Sequence, residues 1–491
     1  MGNPESAGSG QGRTPLADDL LLGINRPEFF SNPESLVFGL VEGAYGTTWP
    51  IDDGDKYSGA TFKKASTGRA AMTLHVTEPY ADVEKGRRWE EALNEGGIDF
   101  RGVAANRAGM AFAAAITGTK PVRATGQAAV PLTTSLANLQ DLRGVFVKSG
   151  PANVHQIIER MYLLGSRDEE PASTAVGLWL SAVERRLETD PILRAVDDAV
   201  VSALLPGRPE AKNFPPPKPR GPWLGDKTPF AWFHDVWKRL TGTDWVDSLP
   251  ERRWIDWATT VLRTATGLGH TWEVRWYQTI AKAVVKGPEV AQGMDWKKLL
   301  DQANQEPLIR WEHSSRPPGH AAIGSELRAA LLTHSDLVKT LEDHLDSRNN
   351  EGESVTDALV RLAEDGEAQK AFGDALGGRR QGNPIENTDY AVRYTLQERE
   401  GASENELDLY GFLAGSGQWH RVDPSPEWIA VMASLSMPGP RAESTTSAVE
   451  DDLRRLGLRP PLEELVKRLE RAGLAASSPD ADEAVRVRCA Y

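Results

Sequence analysis

Ten of the fifteen tryptophans fall between Trp223 and Trp311, and the large apolar residues there recur at helical steps. Phe230, Phe233, Trp237 and Leu240 follow one another at three and four residues, as do Trp254, Trp257 and Val261, and then Trp272, Trp276 and Ile280. Side chains of this size at that spacing require helices that turn their aromatic faces inward on a shared interior. Indole faces also stack on bases and cations. Repetition at helical steps is what core packing needs, so the expectation is a core and not a ligand platform.

A chain of 491 residues exceeds what one hydrophobic core usually organises, so several domains are expected. The clearest boundary is Phe214 to Pro222, where successive prolines remove backbone donors and fix φ near the polyproline II value. The predicted layout is a tail over 1–18, a mixed α/β unit over 19–150 and a helical segment over 151–210. A Pro-rich linker over 211–223, a helical Trp-rich domain over 224–385, a short β segment over 386–426 and a terminal module over 427–491 complete it. The fold class expected is mainly α, multidomain.

Within the N-terminal unit, the run Leu36 to Val41 and the run Val145 to Val147 read as short apolar segments among Gly-rich turns, with Gly109 to Ile116 helix-like. From Asn153 to Leu205 the period turns helical, with Val154, Ile157, Ile158 and Met161 on one face and Val176, Trp179, Leu180, Val183 and Leu187 on the next. Ser325 to Leu345 carries a leucine stripe, interrupted after it by a polar segment around Asn349 to Glu353. Tyr390, Val392 and Tyr394 alternate in phase, which predicts a strand over 390–396 with a partner over 407–412 across a glutamate-rich loop.

The net charge of −14 disfavours general coating of a polyanion. A single cysteine, Cys489, excludes an intramolecular disulfide and a cysteine-rich zinc site, and fits a reducing compartment. The Gly- and Ser-rich start, Met1 to Thr14, lacks the apolar stretch of a secretory signal, and no run of about 18 apolar residues suits a membrane span. A cytoplasmic protein without membrane contact is expected. Abundant Ala, Arg, Gly and Asp with few Lys resembles the usage of high-GC bacteria.

At the C-terminal end the local signals agree. Ser425 and Pro426 can cap and open a helix with Trp428, Ile429, Met432 and Leu435 on one face, and the break Met437 to Pro440 ends it. Ser447 opens a second helix bearing Val449, Leu453 and Leu456. Pro460 and Pro461 start a third, with Leu462, Leu465, Val466 and Leu469 inward, Glu463 and Glu464 at its positive end and Gly473 as its stop. Leu474 to Ala476 and Ala484 to Ala490 then read as two short strands around a turn at Pro479 and Asp480.

Three helices followed by a β-hairpin resemble a winged helix-turn-helix domain. That resemblance covers about 65 residues and rests on pattern. It implies a recognition helix over 462–472 with outward cations Lys467, Arg468 and Arg471, and with Arg486 and Arg488 on the wing. Together with Arg459, these are the candidate contacts to nucleic acid or a partner. From Glu427 onward there are nine basic residues against eleven acidic, which is not the basic footprint of an autonomous DNA reader.

Candidate chemistry elsewhere is sparse. His270 and Glu273 share a helix face and could bind a metal or act as an acid/base pair, with His313 and His320 as the nearest further ligands, but a capping or surface histidine is the plainer expectation. Asp52, Asp53 and Asp55 before Lys56, with Glu78 or Glu84, lack the offsets of a calcium loop and read as a solvated turn. Gly8 to Thr14 lacks the lysine and the preceding strand of a phosphate loop, and no Gly-x-Ser-x-Gly elbow occurs. No cofactor and no metal are therefore expected. The function this organisation suggests is a non-enzymatic scaffold or adaptor subunit of a bacterial multi-protein assembly, one with a link to nucleic acid, docking a protein partner through the terminal module. A sequence-specific DNA-binding protein and an enzyme with a site assembled across domains are the alternatives.

Overall fold

The longest helix sets the plan of the molecule. In the computed structural model, which describes residues 20–25, 34–45, 56–57, 60–64, 72–76, 91, 94, 130–138, 154–168, 173–204, 224–311, 321–346, 353–377, 388–398, 409–416, 419–475 and 485–491, the chain is mainly helical. The helices are α1 (Ser35–Tyr45), α2 (Thr134–Asn138), α3 (Val154–Leu164), α4 (Ala175–Thr189), α5 (Pro191–Leu204), α6 (Pro229–Leu240), α7 (Thr243–Ser248) and α8 (Glu251–Val285). Then follow α9 (Pro288–Gln292), α10 (Trp296–Ala303), α11 (Ala321–Leu332), α12 (His334–Asp346), α13 (Val355–Glu364), α14 (Gly366–Gly377) and α15 (Thr388–Leu396). The last three are α16 (Pro426–Leu435), α17 (Thr446–Arg455) and α18 (Leu462–Arg471). The strands are β1 (Lys56–Tyr57), β2 (Ala60–Lys64), β3 (Met72–Val76), β4 (Leu413–Ser416), β5 (Trp419–Val422), β6 (Glu443–Thr445) and β7 (Arg486–Arg488).

Helix α8 has 35 residues, about 52 Å at the usual rise per residue. Glu251 in its first turn and Lys282 in its last both oppose the local end of the helix dipole. Helices α1, α3, α6, α10 and α12 to α16 all pack on it. Two glycines allow the closest approaches: a Cβ on Gly267 would lie 2.5 Å from the Leu396 side chain, and one on Gly269 3.0 Å from Met161. Glycine weakens a helix interior, so its presence here is explained by packing.

The tryptophans form the core, as their spacing predicts. Trp232, Trp237, Trp245, Trp254, Trp257, Trp272 and Trp276 are all fully buried. Trp179 of α4 stacks on Trp254 of α8 at 4.1 Å, and the Trp237 indole donates to the Ala175 carbonyl at 3.0 Å. Helices on the two sides of the Pro-rich stretch thus share one aromatic interior. The buried apolar residues form a single continuous cluster running from Leu20 to Val487. No described helix is long and apolar enough to cross a membrane.

Several expectations change. Residues 390–396 lie in helix α15 and not in a strand: Thr388, Ala391, Val392, Thr395 and Leu396 are buried at helical spacing, and Arg393 pairs with Asp389 one turn back at 2.9 Å. Val392 is buried and Tyr394 only half-buried, so the alternation of residue types does not follow a strand face. The strand near 407–412 begins only at Leu413 and pairs antiparallel with β5, with Ser416 opposite Trp419. The run Leu36 to Val41 is helical, within α1, because a short apolar run carries no period that separates buried helix from buried strand. The leucine stripe over 325–345 is divided at Thr333 into α11 and α12, its leucines 327, 331, 337, 341 and 345 all buried. Residues 1–18, 205–223, Gly109 to Ile116, Val145 to Val147, the carboxylates at 52, 53, 55, 78 and 84, His313, His320 and the Pro479 turn lie outside the described residues.

Candidate functional site

The terminal module is built by its caps. The Ser425 hydroxyl accepts from the Trp428 amide at 3.3 Å with Pro426 at the first position of α16, and Thr445 accepts from Ala448 at 3.4 Å at the start of α17. The cap of α17 is therefore Thr445, two residues before Ser447. Gly457 and Gly473, at φ +72° and +73°, close α17 and α18 in the left-handed region that suits glycine. Strand β7 pairs antiparallel with β6, Glu443 opposite Arg488 and Thr445 opposite Arg486. The segment expected as a strand at 474–476 contributes a single bridge, Ala475 to Val487.

This module is seated firmly on the rest of the chain. The Trp428 indole donates to Thr264 Oγ1 of α8 at 3.1 Å, and the Leu308 amide to the Gly457 carbonyl at 2.8 Å. Arg455 reaches Asp235 of α6 at 2.6 Å, and Arg239 donates to the Leu435 carbonyl at 2.5 Å.

The six cations singled out from sequence divide sharply. Arg468 is not outward: its side chain is 6 % exposed and donates to the Pro424 carbonyl at 2.8 Å, to Asp423 at 3.0 Å and to Glu464 at 2.9 Å, over the ring of Trp311. Leu465, Arg468 and Leu469 form the inner face of α18, which puts the guanidinium under the helix. Lys467 is exposed and pairs with Glu463 at 2.6 Å, an arrangement that raises the lysine pKa and lowers that of the glutamate. Arg486 and Arg488 both lie beside Glu443, at 3.8 and 3.5 Å. Exposed Arg459 donates to the Asn304 carbonyl at 2.8 Å, and Arg471 is exposed. Leu462, 55 % exposed, sits on the same helix surface as Glu463.

His270 is neither a cap nor a surface residue. It lies in the middle of α8, 0 % exposed, with its Nδ1 3.0 Å from Glu273 Oε2. The same oxygen lies 3.1 Å from Nε2 of His334, the first residue of α12, which sequence reasoning did not single out. The other oxygen, Oε1, accepts from the Tyr277 hydroxyl at 3.1 Å, which in turn accepts from the Leu22 amide. Thr388 Oγ1 is 3.3 Å from His334 Nδ1. Burial opposes ionisation of Glu273, but the two histidines outweigh it and hold the carboxyl down at about 2. Burial lowers the pKa of His270. No periodic signal could have joined His334 to this pair, since 61 residues separate it from Glu273.

No family model matches this chain, and no curated protein matches it.

Proposed function

We propose that this protein is a non-enzymatic scaffold or adaptor subunit of a multi-protein assembly, and that it docks a protein partner through a winged-helix-like terminal module. The observation that carries this reading is the charge pairing on the module's surface. Lys467, Arg486 and Arg488 each stand beside an exposed glutamate, and Arg468 is turned inward. Phosphate binding calls for unmatched cations along a groove. A mixed-sign surface with an exposed leucine, Leu462, suits the polar rim and apolar centre of a protein interface. The order helix, strand, two helices and a returning strand that pairs with the first supports the winged-helix-like reading.

The test uses the full chain. Affinity capture from the native host, with chemical crosslinking, is expected to recover a specific protein with wild type and to lose it with the combined Leu462→Asp, Lys467→Glu and Arg471→Glu variant. Mobility shift with duplex DNA is expected to show no binding that weakens as salt rises. A steep salt-dependent shift, or the absence of any specific protein, would overturn the reading. The enzyme alternative draws on the meeting of His270 with Glu273; the burial of all three side chains of that cluster, between 0 and 4 % exposed, supports the non-enzymatic reading instead.

A further inference from the structure

We propose that His270, Glu273 and His334 hold one divalent transition-metal ion, which locks the middle of α8 to the start of α12 as a structural staple. The three side chains present one imidazole nitrogen, one carboxylate oxygen and a second imidazole nitrogen, all within 4.8 Å of one another. Metal bonds of about 2.0–2.2 Å in a tetrahedral site place neighbouring donor atoms roughly 3.3–3.6 Å apart. The separations here, 3.0 Å from Glu273 to His270 and 3.1 Å from Glu273 to His334, need only a few tenths of an ångström of widening to reach that spacing.

The surroundings of the cluster point the same way. Metal-bound histidines ordinarily use their second nitrogen on an outer hydrogen bond, and metal-bound carboxylates are themselves hydrogen-bonded. His334 has Thr388 against Nδ1, and Glu273 has the Tyr277 hydroxyl on Oε1, itself held by the Leu22 amide. Four separate parts of the chain, at Leu22, α8, His334 and Thr388, thus meet in one hydrogen-bonded cluster. The rings of His270 and His334 stand edge to face, their centroids 6.3 Å apart.

Charge supplies the third argument. Among the described residues the ion-pair partners of Glu273 are these two histidines alone. A fully buried carboxylate is expensive away from water unless opposite charge stands beside it, and a bound dication supplies that charge. His270 Nε2, the ring nitrogen other than the one that faces Glu273, is buried with no hydrogen-bond partner among the described residues.

Two imidazoles and a carboxylate are borderline donors, a set that favours zinc and also accepts cobalt or iron, and disfavours calcium and magnesium. The three residues supply three donor atoms, one from each side chain. Complete burial assigns a structural role and predicts that the ion enters as the chain folds and leaves only when it opens.

Elemental analysis of the full chain, produced with zinc in the medium and freed of loosely held ions by brief chelation, is expected to find stoichiometric zinc. The Glu273→Gln and His334→Gln variants are expected to lose it. The His234→Gln variant, which alters a buried histidine hydrogen-bonded to the Tyr162 carbonyl, is expected to keep it. X-ray absorption at the zinc edge of wild-type protein reads the ligands directly, independent of whether any variant folds. Two imidazoles with oxygen and no sulfur is the expected shell. Wild-type protein holding only traces of metal, a shell without imidazole, or zinc retained in both folded site variants would each overturn the proposal.

Discussion

Glu273 of α8 and Glu463 of α18 have the same local arrangement, a carboxylate with a basic side chain one helical turn away, and opposite fates. Glu273 with His270 is fully buried, whereas Glu463 and Lys467 are 81 and 53 % exposed. Helical spacing creates both pairs. Burial decides what each is worth. The exposed pair competes with water and salt at every moment, so its loss costs little. The buried carboxylate has no solvent to fall back on, so each donor around it becomes part of what keeps the core closed. Helix α18 repeats the lesson within itself, since Glu464 and Arg468, one residue along from Glu463 and Lys467, lie underneath and hold the helix to Asp423 and Pro424.

The sharpest way to break this contrast is Glu273→Ala. Removing the acceptor shared by His270, His334 and Tyr277 is expected to cost about 3–5 kcal/mol, the range for breaking a buried charge network, read as a lowered urea midpoint. A cost below about 1 kcal/mol would put the cluster on a par with a surface pair. Next comes Arg468→Ala, which strands the Pro424 carbonyl, leaves Glu464 without this partner and leaves Asp423 with Arg421 alone among the described residues, and is expected to cost about 2–3 kcal/mol by the same measurement. Were it neutral, Arg468 would belong with the surface cations after all.

Acid stability gives a smaller and independent test. Burial, with Arg393 nearby, lowers the pKa of His420 from 6.5 to about 4. The folded chain keeps this ring neutral where the unfolded chain protonates it, so the stability it contributes is whole above pH 6.5 and is lost as the pH falls through that value toward about 4. His420→Gln is expected to flatten the stability profile over that window, and an unchanged slope would remove His420 from the acid response. The smallest effect is predicted for Lys467→Ala, which should leave the urea midpoint where it is. A clear loss there would make the exposed pair structural.

What could be read from the chain beforehand follows the same division. The aromatic helices around Trp237, Trp254 and Trp272 were legible because bulky residues at three- and four-residue steps have one good place to go. The caps at Ser425 and Pro426, and the stop at Gly473, were legible because capping is decided within a few residues. Residues 390–396 misled because Tyr390, Val392 and Tyr394 alternate as a strand would, whereas the residues that pack inward on α8 are Ala391, Val392, Thr395 and Leu396, with Arg263 donating to the Thr395 carbonyl at 2.9 Å. Arg468 misled because a guanidinium is presumed to face water, and its burial depends on Asp423 and Pro424, which lie 45 and 44 residues away.

The amino-acid sequence by itself determined the helical character, the aromatic interior and the ends of individual helices, since these rest on interactions between near neighbours along the chain. Only the tertiary structure decided which charges would be shielded from water, that His334 would meet His270 and Glu273, and that β6 would pair with β7. Those outcomes depend on burial and on contacts between residues far apart in the chain, and neither quantity exists until the helices have packed.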